Sequence, residues 1–112
     1  QGTLTGKYLN GQMPQGSRLA LFGDTPLMMR YKGDKTQKAI EMYVEVAKKF
    51  EIDPTQLAIQ FCNIQPFVTS NIIGATTMEQ LKICIDSIHL DINKEIMNEI
   101  RKVHKEIPNP AP

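Results

Sequence analysis

From residue 34 onwards, apolar residues recur every three or four positions, which predicts four amphipathic helices. Capping residues place the expected starts at Asp34 for the first helix, Asp53 for the second and Asn93 for the fourth. The third is expected to begin at a capping box formed by Thr77 and Gln80. The predicted apolar faces are Ile40, Tyr43, Val44, Ala47 and Phe50; Leu57, Ala58, Phe61 and Cys62; Leu81, Cys84, Ile85 and Ile88; and Ile96, Met97, Ile100 and Val103.

Two stretches depart from this helical pattern. Residues 67–73 are rich in β-forming side chains, which predicts one short strand. Residues 1–33 hold most of the seven glycines and predict a long loop, with residues 1–5 as the tail of a strand. A buried strand needs neighbours on both edges, and the chain offers only that weak tail. The predicted fold class is therefore α/β, mainly helical, as the closing portion of a larger fold of which this chain is a piece.

Composition narrows the class of protein. The 112 residues suit one domain, and 41% of them are hydrophobic, enough for a modest core. The net charge of +1 argues against nucleic acid or an anionic membrane as a dominant partner, and no apolar run approaches the length of a membrane span. Cys62 and Cys84 are expected to be reduced, mostly buried thiols of a cytoplasmic protein, although the sequence leaves a disulfide open.

Two glycine-bearing basic segments contain the candidate binding residues. In residues 72–81 an apolar run stops at Gly74, passes through hydroxyl residues and continues as the third helix. This order places free backbone N–H groups and the positive end of a helix where a phosphate can bind. In the first segment, Lys7 and Arg18 lie in a loop of small residues that could reach the same anion. The pattern predicts a site for a nucleotide phosphate.

Simpler interpretations apply to the same residues. Lys7 and Arg18 can also be interpreted as solvated charges on a loop. Gly74 can be interpreted as the small residue that a strand-to-helix turn needs. His89 and His104 have no partner at ligand or catalytic spacing and are assigned to the surface. None of the three tyrosines has a lysine or histidine at a spacing that would indicate a general acid. The sequence therefore names no catalytic residue and no metal ligand.

Three segments resemble the C-terminal third of the aldo-keto reductases: residues 2–8 (GTLTGKY) with Ser17 and Arg18, residues 53–62 (DPTQLAIQFC) and residues 72–81 (IIGATTMEQL). The resemblance runs in order along essentially the whole chain. It points to the bacterial Tas-like branch, which is related to the β subunits of potassium channels. It implies a (β/α)8 TIM barrel, with residues 1–33 as the cofactor-side loop and residues 34–112 as helices, the last barrel strand and the C-terminal helix.

The resemblance also implies NADP(H)-dependent reduction of aldehydes or ketones by hydride transfer. It places Lys7 and Arg18 around the adenosine phosphates, Gly74 and Thr76 in the loop after the last strand, and Gln80 near the adenosine. The family's catalytic Asp, Tyr, Lys and His belong to the N-terminal half of the barrel, which this chain does not contain. We therefore expect the chain to need that half as a partner, and to be inactive and self-associating when isolated.

One departure from the family pattern concerns the helix after the last strand. Where the family usually has Glu-Asn, this chain has Ile83 and Cys84, which lack the polar groups that normally hydrogen-bond to the adenine. This difference favours an alternative hypothesis, a non-catalytic helical interaction module from a truncated or split reductase gene. The retained Lys7, Arg18 and Gly74 favour a cofactor-binding segment.

Overall fold

Six α-helices provide most of the regular structure over residues 2–112, the part of the chain that a computed structural model describes. They are α1 (Arg18–Phe22), α2 (Pro26–Met29), α3 (Asp34–Lys49), α4 (Pro54–Asn63), α5 (Met78–Asp86) and α6 (Lys94–Glu106). Three single-turn 3-10 helices cover Thr3–Thr5, Leu9–Gly11 and Ser87–His89. Within this part of the chain, no helix combines the length and the apolar character that a membrane crossing requires.

Side-chain caps set the starts of three helices, as the sequence predicts. Asp53 accepts hydrogen bonds from two backbone N–H groups at the start of α4, and Asn93 does the same for α6. The Thr77 hydroxyl accepts one such bond at the start of α5. The prediction for Asp34 is wrong by one residue, because Gly33 is the N-cap of α3. Asp34 lies in the first turn instead, where a carboxylate is favoured by the helix dipole.

The main hydrophobic core lies between α3, α4 and α6. Its buried members are Val46, Ala47, Leu57, Ile96, Ile100 and Val103. An ion pair between Lys49 of α3 and Glu99 of α6, at 3.3 Å, joins the two helices beside this core. Hydrogen bonds from Lys102 and Lys49 hold the pKa of Glu99 below its usual value. Because α5 packs against α4, the core also positions the N-terminus of α5.

The short strand predicted over residues 67–73 is wrong. No strand occurs among residues 2–112, because a strand needs a second extended segment for its hydrogen-bond ladder and this part of the chain provides none. The segment is instead tied to α4 by Asn71, whose side-chain amide donates to the carbonyl of Ile59 and to Asn63 Oδ1, both at 3.2 Å. Two of its apolar side chains face solvent: Phe67 is 80% exposed and Ile72 is 96% exposed.

The loop predicted over residues 1–33 also needs correction. Its described part contains two 3-10 turns and two short α-helices. A small cluster of buried side chains packs α1 and α2 against the residue between the two turns: Tyr8, Leu19 and Met28. The expected strand tail is wrong for residues 3–5, which form a 3-10 helix, while Gln1 lies outside the described residues. The cluster joins residues far apart in the chain, so the local pattern gave no sign of it.

The C-terminal tail is attached to the turn that leads from α2 into α3. The buried hydroxyl of Thr36 lies 2.9 Å from the carbonyl oxygen of Arg30 and 2.5 Å from that of Pro110. Ile107 is buried after the end of α6, and Lys38 forms an ion pair with Glu106 at 2.6 Å. The tail is therefore packed against the start of α3.

Candidate functional site

The N-terminus of α5 brings Thr76 and Gln80 together. Gln80 Oε1 accepts hydrogen bonds from the backbone N–H of Thr76 at 3.0 Å and from its hydroxyl at 3.1 Å. The hydroxyl of Thr77 accepts from the N–H of Gln80 at 3.2 Å. The predicted capping box is therefore present with one change: the glutamine side chain reaches the residue before the N-cap. The network fixes the side chain of Gln80 against the turn.

This arrangement leaves hydrogen-bond donors facing outwards. Because Gln80 Oε1 accepts both bonds, its Nε2 atom carries two N–H donors, and these have no partner among residues 2–112. The backbone N–H groups of Met78 and Glu79, in the first turn of α5, also have no acceptor in the described chain. These donors and the helix dipole favour an anion. The carboxylate of Glu79 in the same turn opposes it, so an anion here needs further cations.

Gly74 lies in open surroundings before α5. A Cβ atom built on it would meet no atom within 4 Å, and the residue is exposed. Packing within the described chain therefore does not require a glycine at this position. Its contribution to a site would be close access to the backbone, which a side chain would obstruct.

Lys7 is held in place by its own turn. Its ammonium group lies 5.1 Å from the centre of the Tyr8 ring, close enough for a cation–π contact. Gly2 adopts φ 79°, and a Cβ atom there would lie 3.0 Å from Lys7 Nζ. The backbone N–H of Lys7 donates to the hydroxyl of Thr5 at 3.3 Å. The lysine side chain is thus confined between a ring and a glycine.

Arg18 is the first residue of α1 and is exposed. Ser17 caps this short helix by accepting from the N–H of Ala20 at 3.4 Å. The N–H of Leu19 donates to the buried hydroxyl of Tyr8, also at 3.4 Å. Tyr8 therefore connects the turn that carries Lys7 with the helix that carries Arg18. The sequence analysis did not predict this link. The signal that could have indicated it is Tyr8, an aromatic residue in a segment made mostly of small residues.

The five candidate residues form two groups in the structure. Lys7 and Arg18 are joined through Tyr8, and Thr76 and Gln80 are joined directly, with Gly74 two residues before Thr76. The turn Thr3–Thr5 packs against α3 and α4, and α5 packs against the same α4. No hydrogen bond or ion pair connects Lys7 with the residues at the start of α5 in the described chain.

Ile83 and Cys84, which stand where the family usually has Glu-Asn, differ in exposure. Cys84 is buried and Ile83 is half-buried, and the carbonyl of Ile83 accepts from the Gln56 side chain at 3.4 Å. Both cysteines are free, but the expectation of burial is wrong for Cys62, which is exposed. Tyr43 packs against the main core, and burial raises its pKa above the ordinary 10.0, which agrees with its interpretation as a core residue.

A family model described as "Aldo/keto reductase family" matches residues 1–105. The chain therefore belongs to the aldo/keto reductase family, which confirms the resemblance seen in its motifs and implies the TIM barrel of that family.

Among curated relatives, Protein tas of Escherichia coli is 49% identical over 111 residues, covering 99% of this chain and 31% of that protein. A probable voltage-gated potassium channel subunit beta of rice is 34% identical, covering 96% of this chain and 33% of its own length. An aldo-keto reductase of Babesia bovis is 33% identical, and the match covers 92% of this chain and 37% of that protein. The chain thus spans about a third of the length of these relatives.

Proposed function

We propose that this chain is the C-terminal cofactor-binding segment of an NADP(H)-dependent reductase of aldehydes or ketones. The observation that carries the proposal is the N-terminus of α5, where the network of Thr76 and Gln80 leaves N–H donors directed outwards. Membership of the aldo/keto reductase family supports the choice of nucleotide and of reaction class.

The donor set fits the phosphates and adenosine of such a cofactor. Lys7 and Arg18 would hold the phosphates by charge, and the backbone from Gly74 to Thr76 would approach them closely. Gln80 would donate to the adenosine through Nε2. When bound, NADPH supplies the hydride for the carbonyl carbon. The residues of this chain bind and orient the nucleotide end that does not react.

The proposal assigns the chemistry to the rest of the barrel. The chain spans about a third of its relatives, and the partner it would require is the N-terminal part, with the proton donor and the carbonyl-binding pocket. Within this chain, the hydroxyl of Tyr8 is buried and bonded to Leu19, and the hydroxyl of Tyr31 accepts from Arg30 at 2.8 Å. We propose a cytoplasmic location, which suits the free thiols of Cys62 and Cys84.

We expect the 112-residue chain to bind NADPH without oxidising it in the presence of any aldehyde or ketone. Hydride transfer needs the nicotinamide held against the carbonyl and a positioned proton donor, each of which contributes large rate factors. Binding is measured by NMR titration of the backbone amides of Thr76 and Gln80, and turnover by the loss of NADPH absorbance. Failure of these amides to shift at millimolar nucleotide would overturn the proposal, and turnover that survives repurification would overturn the expected inactivity.

The alternative, a helical interaction module, is supported by one observation. Phe67 and Ile72 lie on the segment between α4 and α5 with their side chains in solvent, and apolar residues exposed together promote association. Under this alternative the segment binds other chains, and no cofactor is bound.

We expect the isolated chain to self-associate through residues 67–73, and Phe67→Ser combined with Ile72→Ser to reduce that association. Removing two exposed apolar side chains removes the surface that association would bury. The measurement is sedimentation velocity over a range of concentrations. Phe22→Ser is the control, because Phe22 is an exposed phenylalanine on α1, outside the segment. A monomeric unsubstituted chain, or an equal effect of Phe22→Ser, would contradict this assignment.

A further inference from the structure

Tyr8 contacts both the turn that carries Lys7 and the helix that carries Arg18, the two candidate phosphate-binding cations. Its ring lies under the ammonium group of Lys7, and its hydroxyl accepts from the N–H of Leu19, the residue after Arg18. We propose that Tyr8 is a positioning residue that holds Lys7 and Arg18 in a fixed relation for cofactor phosphates. This inference rests on the proposed function, since it assigns a role within the same site.

The ring of Tyr8 provides the fixed point. Tyr8 is 3% exposed and belongs to the small cluster with Leu19 and Met28, against which Tyr31 also packs. A ring enclosed in this way keeps one orientation. Its face therefore gives the ammonium group of Lys7 a defined place at the surface of the cluster.

The hydroxyl of Tyr8 connects this point to α1. The helix has five residues, so the bonds at its N-terminus are a large share of what orients it. Leu19 is buried, and so is the hydrogen bond that its N–H donates to the tyrosine oxygen. A buried N–H group that loses its acceptor is costly. The hydrogen bond joins residues 11 positions apart and fixes the direction in which α1 leaves the cluster.

The segment between Lys7 and Arg18 does not fix their relative position. Residues 10–16 are exposed, and Gly11 and Gly16 both adopt positive φ, at 73° and 74°, with open space around them. Such a segment tolerates many conformations. The contact through Tyr8 therefore contributes to the relative position of Lys7 and Arg18, which this segment does not fix.

Replacing Tyr8 by phenylalanine tests the hydroxyl alone. Tyr8→Phe keeps the ring, the cluster and the contact with Lys7, but leaves the N–H of Leu19 without its acceptor. We expect the affinity of the 112-residue chain for NADPH to fall roughly threefold to tenfold, the effect of losing one hydrogen bond, and its affinity for NADH to stay within about twofold. The expected difference arises because the change reaches the nucleotide through Arg18, which is proposed to meet the phosphate that only NADPH carries.

Two comparisons separate positioning from a general loss of structure. Tyr31→Phe removes a hydroxyl from a ring packed on the same cluster without touching Leu19, and it is expected to leave the NADPH-to-NADH ratio unchanged. In an Arg18→Ala background, Tyr8→Phe is expected to have no further effect on that ratio. Partial unfolding would weaken both nucleotides equally, so the ratio reports only on the phosphate contact.

The outcomes are distinct. A wild-type chain that binds both nucleotides equally overturns the assignment of Arg18 in the proposed function, and the role of Tyr8 with it. A wild-type preference for NADPH that persists in Tyr8→Phe overturns the positioning role alone. So does a further loss of preference when Tyr8→Phe is added to Arg18→Ala.

Discussion

Replacement of Arg18 by alanine is expected to weaken NADPH binding by about 1.5–3 kcal/mol, or roughly ten- to a hundredfold, the usual contribution of a charge-assisted hydrogen bond. Binding of NADH should change much less, because only NADPH carries the additional phosphate. The physical basis is the position of Arg18 as the first residue of α1, exposed and with its helix oriented through Tyr8. Titration of both proteins with both nucleotides, at two salt concentrations, measures the preference and its screening.

The matched control for this substitution is Arg30→Ala. Arg30 is also an exposed arginine close to the Tyr8 cluster. Its guanidinium donates to the Tyr31 hydroxyl at 2.8 Å and lies 4.9 Å from the centre of that ring. Its removal should leave both affinities unchanged. An unchanged NADPH-to-NADH preference in Arg18→Ala would show that the phosphate-binding cation has been placed incorrectly.

Replacement of Ile100 by alanine is expected to lower the free energy of unfolding by about 2–5 kcal/mol. Ile100 is 7% exposed and lies in the main core, where α6 meets α3 and α4. Shortening it removes buried apolar contacts and leaves a cavity that neighbours fill only in part. A loss of this size should be evident as a lower midpoint in urea denaturation at equilibrium.

Ile85→Ala serves as the control for that experiment. Ile85 lies on the solvent side of α5 and is 51% exposed, so the same chemical change removes far less buried surface there. Its effect should stay below about 1 kcal/mol. Equal destabilisation by the two substitutions would mean that the core between α3, α4 and α6 is not the main source of stability.

The parts of the fold that the sequence predicted are those decided by local interactions. Asp53 and Asn93 cap helices by accepting from N–H groups two and three residues later. The residues that predict each cap are therefore the same few residues that form it. The strand over residues 67–73 required a partner segment, and a β-forming composition cannot show whether the chain contains one. Composition there was a poor guide because strand pairing is not local.

The candidate site divides in the same way. Thr77 and Gln80 are three residues apart in the first turn of α5, and their spacing predicted a capping box. The structure contains the bond from the N–H of Gln80 to Thr77, while the side chain of Gln80 bonds to Thr76 instead. The connection between Lys7 and Arg18 passes through a tyrosine hydroxyl and a buried N–H, across an irregular loop. No spacing rule describes such a contact. The loop of small residues and the motif resemblance both indicated Lys7 and Arg18 as candidates, and only the packing showed how they are linked.

The hydroxyl of Thr36 has a single proton for the two carbonyl oxygens that lie within reach of it. The tail at Pro110 and the turn at Arg30 are therefore competing acceptors, and neither can hold that proton without weakening the other bond. Lifting the tail would give the whole hydrogen bond to Arg30, which immediately precedes Tyr31 at the edge of the Tyr8 cluster. The shared hydroxyl of Thr36 therefore links the C-terminal tail to the region of the chain that carries Lys7 and Arg18.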